Sequence, residues 1–89
     1  MINVALLGFG RIGQMHAQNI NQNKSLKLLY VYEKIDKLSK KAKKLYNCII
    51  EDNYKKIFSD RKVDIVFISS PTNTHIKFIE EGIKYKKTI

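Results

Sequence analysis

At 89 residues the chain has the size of one small domain, and it is expected to bury about 60–65% of its unfolded surface. Its 17 Lys and Arg against 8 Asp and Glu give a net charge of +9, but the lysines crowd into residues 34–44 and 84–87, on the polar sides of predicted helices. With no arginine-rich reading helix and no aromatic RNA-binding motif, that charge reads as a solvated surface and not as a nucleic-acid site.

No apolar run approaches the ~20 residues of a membrane span, so no membrane partner is expected. Met1 leads almost directly into the first strand, without a basic leader. The single cysteine, Cys48, excludes an internal disulfide framework and suits a cytoplasmic location, with a buried, inert thiol.

Residues 2–13 read as a short apolar strand, a glycine turn and the start of a helix. Gly8, Gly10 and Gly13 have the G-x-G-x-x-G spacing of a dinucleotide-binding turn. In such a turn the first glycine allows a sharp bend, the second admits a pyrophosphate to the backbone, and the third lets the helix lie close to the sheet. The helix then offers free N–H groups and a partial positive charge to the phosphates.

The first helix is predicted over residues 11–22, with Ile12, Met15 (or His16), Asn19 and Ile20 on its inner face. Polar residues 21–25 end it. Residues 26–32 read as a second strand, apolar on both faces like a central parallel strand. Glu33 closes that strand about 20 residues beyond the last glycine, where a carboxylate accepts hydrogen bonds from the adenosine ribose.

Ile35, Leu38, Ala42 and Leu45 recur at helical spacing and predict the second helix. Residues 47–51 read as a short third strand. Asp52 or Asn53 caps a brief helix that carries Tyr54, Ile57 and Phe58. Residues 63–69 are the strongest strand in the sequence, and a loop with capping residues follows over 70–75. A last helix is expected to turn Ile76, Ile79 and Ile83 inward, with Gly82 permitting close packing. Residues 86–89 look like a fifth strand just beginning.

This alternation defines an α/β fold: a doubly wound parallel sheet with right-handed crossovers and strand order 3-2-1-4, truncated as its fifth strand starts. The switch point between strands one and four sets the glycine turn beside the 69–75 loop, at the edge where such sheets bind ligands. A complete doubly wound domain has two βαβαβ halves, so residues 1–89 are expected to be a dinucleotide-binding domain that is incomplete at its C-terminal end, the front piece of a longer polypeptide.

The run Gly8-Phe9-Gly10-Arg11-Ile12-Gly13, then His16-Ala17, then residues 63–72 with His75, resembles the glucose–fructose oxidoreductase and inositol dehydrogenase (Gfo/Idh/MocA) family. The opening is most similar to the inositol 2-dehydrogenase branch. The resemblance implies a Rossmann-like front domain and a substrate domain, absent here, in an enzyme that moves hydride between a nicotinamide cofactor and a sugar or cyclic polyol carbon. In such an enzyme a base takes the hydroxyl proton while hydride passes to the nicotinamide. The family's catalytic lysine belongs to a Glu-Lys-Pro motif after the fifth strand, and its Asp and His lie further on. This sequence stops at Thr88-Ile89, before those residues, so no catalytic residue is assigned and the chain alone is expected to show no turnover. Assembly through the second domain implies a homo-oligomer at full length.

The cofactor-binding residues expected on these grounds are Gly8, Phe9, Gly10, Arg11, Ile12, Gly13 and Glu33, together with Ser69, Ser70, Pro71, Thr72 and His75. The resemblance places that second group along the nicotinamide. The family's loop often reads Pro-Asn-x-x-His; here Thr72 follows Pro71, Asn73 comes one position later, and His75 matches. His16 is expected to be structural, bonded near the glycine turn. The Glu33 carboxylate would repel a 2′-phosphate by about 4 kcal/mol at ~4 Å and an effective dielectric near 20, which favours NAD. Lys34 softens that repulsion, so NADP is a possible second cofactor. A non-catalytic dinucleotide-sensing module is the alternative function.

Overall fold

The first strand, β1 (Ile2–Leu7), lies between two parallel neighbours and is the spine of the sheet. The computed structural model describes residues 1–70, 75–85, 87 and 88. Along the chain β1 is followed by α1 (Arg11–Gln22), β2 (Leu26–Tyr32), α2 (Asp36–Tyr46), β3 (Ile49–Ile50), α3 (Tyr54–Ser59), β4 (Ile65–Ile68) and α4 (His75–Lys84). The sheet order is β3-β2-β1-β4, all parallel, as the element pattern predicts. Thr88 forms a parallel bridge to Ile65, and its carbonyl accepts the Val66 N–H at 2.8 Å. That single bridge lies beside β4, where the sequence leads one to expect a fifth strand.

Because side chains alternate across a strand, β1 feeds two cores. Val4 and Leu6 join Phe9, Ala17, Ile20, Val31 and Cys48 under α1 and α2. Ala5 and Leu7 join Ile57, Phe58, Val63, Val66 and Phe78 under α3 and α4. Both faces of the strand are covered, which is why its sequence is apolar without alternation.

The helices sit on the sheet by different faces from those the apolar periodicity suggests. In α1 the buried residues are Gly13, Ala17 and Ile20, while Ile12 and Met15 are each 53% exposed and Asn19 is exposed. The close approach of Gly13 to the turn sets the rotation of this helix, so small residues face the sheet. His16 is half-buried and stacks on Phe67, with ring centroids 5.7 Å apart. In α2, Ser39 and Ala42 are buried and Tyr46 meets Phe9 edge-on at 6.3 Å; Ile35 and Leu45 are exposed. In α4, Phe78 and Gly82 are buried, whereas Ile79 and Ile83 are exposed. The Ile76 side chain lies outside the described residues.

The third strand is shorter than residues 47–51. Asn47 takes a left-handed conformation (φ 52°) and its N–H bonds the Lys43 carbonyl, so it ends α2 instead of starting a strand. Asn53 caps α3, its side-chain oxygen accepting the Lys55 N–H at 3.1 Å. The fourth strand is likewise trimmed to Ile65–Ile68, although the Ser69 N–H still donates to the Leu7 carbonyl at 2.8 Å.

Candidate functional site

At the C-terminal edge of the sheet the chain leaves β1 through Gly8, whose φ of +105° is closed to most L side chains. The turn is fastened on both sides. Toward β2, the Gly8 N–H donates to the Tyr32 carbonyl (2.8 Å) and the Phe9 N–H donates to Glu33 Oε1 (2.7 Å). Toward β4, the Ser69 hydroxyl donates to the Gly8 carbonyl (2.9 Å). A Cβ at Gly8 would stand 2.7 Å from the Ser70 nitrogen, and one at Gly13 would overlap the Gly8 carbonyl oxygen. These two glycines therefore close the contact between turn, helix and β4 loop.

Gly10 is different. A Cβ there would meet nothing within 4 Å. Gly10 is the N-cap of α1 and supplies no side-chain acceptor, and the first helical bond runs from the Gln14 N–H to the Gly10 carbonyl (2.9 Å). The preceding amides of α1 are left for an acceptor outside the helical ladder, with the positive end of the helix dipole behind them.

Gly10, Arg11 and Ile12, at this helix start, line a cleft of about 690 Å³, in the size range of about 300–1,000 Å³ typical of small-molecule sites. Gly8, Gly10, Arg11, Ile12, Glu33, Ser69 and Ser70 line it, so the structure brings together most of the residues expected from the sequence. Phe9 and Gly13 stand behind the wall: the Phe9 ring is fully buried in the core, and Gly13 packs on the turn. Pro71 and Thr72 lie outside the described residues, as does the His75 side chain, although His75 opens α4.

Glu33 is held by its own backbone surroundings. Its second oxygen accepts the Ile35 N–H at 3.0 Å, so the two carboxylate oxygens bridge the glycine turn and the entry to α2. A further brace runs through side chains: Lys41 Nζ donates to Gln14 Oε1 (2.8 Å), and Gln14 Nε2 donates to the Phe9 carbonyl (3.3 Å). The cleft is also lined by Tyr32, Lys34, Ile35, Leu38, Lys77 and Phe78. Of these, only Lys34 is singled out by its place next to the motif; Tyr32 ends β2, Ile35 and Leu38 lie on the path of the chain into and along α2, and Lys77 and Phe78 reach the cleft from α4.

An open glycine backbone, uncapped helix amides and a carboxylate at the end of the next strand, all on one parallel-sheet edge, are the features of a dinucleotide-binding Rossmann domain. Residues 2–89 match the family described as "Oxidoreductase family, NAD-binding Rossmann fold" (GFO_IDH_MocA). The chain belongs to that family, and its fold is an NAD-binding Rossmann fold.

Among relatives, it is 30% identical over 89 residues to the uncharacterized oxidoreductase YrbE of Bacillus subtilis, and 30% identical over 88 residues to inositol 2-dehydrogenase of Rhizobium meliloti. Each comparison takes in 99% of this chain and 26% of the relative. The solved structure of scyllo-inositol dehydrogenase from Lactobacillus casei with bound NAD(H) and scyllo-inositol superposes with a TM-score of 0.89 at 27% identity, over 98% of this chain and 26% of that one. The chain thus spans about a quarter of the length of the curated relatives it matches. Among the described residues no helix is long and apolar enough to cross a membrane.

Proposed function

We propose that the chain is the cofactor-binding portion of an NAD-dependent dehydrogenase that transfers hydride between the nicotinamide and a sugar or cyclic polyol carbon, in the manner of the inositol 2-dehydrogenases it resembles. Family membership and the inositol dehydrogenases among its relatives support this reading. The observation that carries it is the pairing of Glu33 with the glycine turn on the wall of one cleft.

In this reading the α1 amides and the open backbone at Gly10 bind the diphosphate, with Arg11 and Ile12 at the rim. Two of the Glu33 carboxylate lone pairs hold the Phe9 and Ile35 amides, and the remaining pairs accept the adenosine ribose hydroxyls. Phe9 and Gly13 keep the turn in place. Ser69 and Ser70, with Pro71, Thr72 and His75, serve the nicotinamide side. The nicotinamide, when bound, supplies the hydride acceptor; this chain's part is to fix its position and shield it from water. The group that takes the hydroxyl proton and the wall that selects the substrate are assigned to a further domain of a longer protein. The 26% share of each relative that the chain covers supports that division.

Calorimetric titration of the chain with NAD and NADP tests the assignment. Saturable binding of NAD, tighter than that of NADP, is the expected result. Failure of both dinucleotides to bind would overturn it.

A further inference from the structure

Lys77 lies in the first turn of α4, outside the glycine motif, and is one of the residues that line the same cleft as Gly8, Gly10 and Glu33. Its ammonium stands 4.4 Å from the centroid of the Tyr54 ring. That ring is a firm shelf: it packs edge-on against Phe78 at 5.3 Å and against Tyr32 at 6.1 Å, and Phe78 is buried. Tyr32 immediately precedes Glu33, so the shelf sets Lys77 near the end of β2. No carboxylate pairs with Lys77 among the described residues. Three cations, Arg11, Lys34 and Lys77, thus line a cleft whose one carboxylate among the described residues, Glu33, already accepts two backbone amides.

We propose that Lys77 is a phosphate-binding residue of the cofactor cleft, its ammonium pre-positioned by the face of Tyr54. The proposal rests on the reading of this cleft as the dinucleotide site. A lysine ammonium is a mobile point charge on a flexible stem, and a cation–π contact at an exposed position is weak enough to exchange for a phosphate oxygen. The phosphate has two possible sources on a nicotinamide dinucleotide, the diphosphate bridge and a 2′-phosphate on the adenosine ribose. The second would set Lys77 against the repulsion from Glu33 and widen cofactor choice toward NADP.

The test compares binding of adenosine, ADP-ribose and 2′-phospho-ADP-ribose to the parent chain and to Lys77→Gln and Lys77→Arg. Thermal melts establish that each variant is folded. Lys77→Gln is expected to weaken a phosphorylated probe about three- to tenfold, the range for a charged contact at an exposed side chain. Adenosine should be unaffected, Lys77→Arg should retain most of the affinity, and the salt dependence of binding should become shallower in Lys77→Gln. Weakening of both phosphorylated probes assigns Lys77 to the diphosphate; weakening of the 2′-phosphorylated probe alone assigns it to the 2′-phosphate. Unchanged affinity for both in folded Lys77→Gln would overturn the proposal while leaving the cofactor site intact. A parent chain that binds none of the probes would overturn the site itself and the proposal with it.

Discussion

Glu33 accepts a hydrogen bond from the backbone N–H of Phe9 at 2.7 Å, tying the end of β2 to the middle of the glycine turn. The residue placed by its spacing to meet a ribose is therefore also a brace of the protein. The bond orients the turn, leaving the α1 amides and the carboxylate on the same cleft.

Replacing Glu33 by Ala should have two separable effects. Loss of the acceptor for the Phe9 and Ile35 amides should lower stability by about 2 kcal/mol, since hydrogen bonds to charged groups are worth about 1.5–3 kcal/mol. It should also weaken NAD more than NADP, because the ribose acceptor and the repulsion of a 2′-phosphate vanish together. Urea unfolding checks the first effect and calorimetry the second. Equal loss of both dinucleotides would mean that Glu33 acts on the turn alone.

Gly8 and Gly10 should respond oppositely to alanine. At Gly8 the positive φ and the collision with the Ser70 backbone combine strain of about 1–3 kcal/mol with overpacking of similar size, so Gly8→Ala should destabilise by about 3 kcal/mol or more. At Gly10 the backbone is ordinary (φ −72°) and a methyl group meets no protein atom. Gly10→Ala should fold and melt like the parent yet bind NAD at least about tenfold more weakly, a loss of about 1.4 kcal/mol. Paired melting curves and titrations separate the two cases.

The same contrast explains what the sequence makes legible. The order of elements, the sheet topology and the place of the glycine turn follow from strand-like runs and from backbone demands that only glycine meets. Helix rotation does not. Periodicity marks Ile12, Met15, Leu45, Ile79 and Ile83 as inward, yet all five are exposed; Gly13 and Gly82, expected to permit close packing, are buried, and so is Ser39, which no apolar pattern marks. Close approach of a helix to a sheet selects small residues that carry little hydrophobic signal. Lys77 escapes sequence reading for a related reason: its place beside the cleft depends on the rotation of α4, and nothing in the adjacent residues announces it.

Packing of α4 supplies a test of that rotation. Phe78 is 2% exposed, stacks with Phe58 and meets Tyr54 and Tyr32 edge-on, so Phe78→Ala should cost about 3–5 kcal/mol. Ile83 is 71% exposed, and Ile83→Lys in this chain should change stability by no more than about 0.5 kcal/mol. Chemical unfolding of the two variants would reverse this order if Ile83 were the inward residue.

Away from the cleft, the Tyr30 hydroxyl donates to Asp60 Oδ2. That hydrogen bond, with desolvation and the charges of Asp60 and Glu51 behind it, pushes the phenol up to about 12, and the same bond lowers the Asp60 carboxyl below its ordinary value. The signs give two pH windows. Because the folded Tyr30 value lies above the unfolded one, its contribution is complete below about pH 10 and is lost as pH rises through about 12. Because the folded Asp60 value lies below the unfolded one, its contribution is present above about pH 3.9 and is lost as pH falls through the depressed value. Asp60→Asn should therefore reduce stability across the neutral range and flatten its dependence at both ends. In a spectrophotometric titration of the phenols, one of the five tyrosines should ionise late in the parent and return toward about 10 in Asp60→Asn. Absence of a late-ionising phenol from the parent titration would show that the Tyr30–Asp60 bond does not persist in solution.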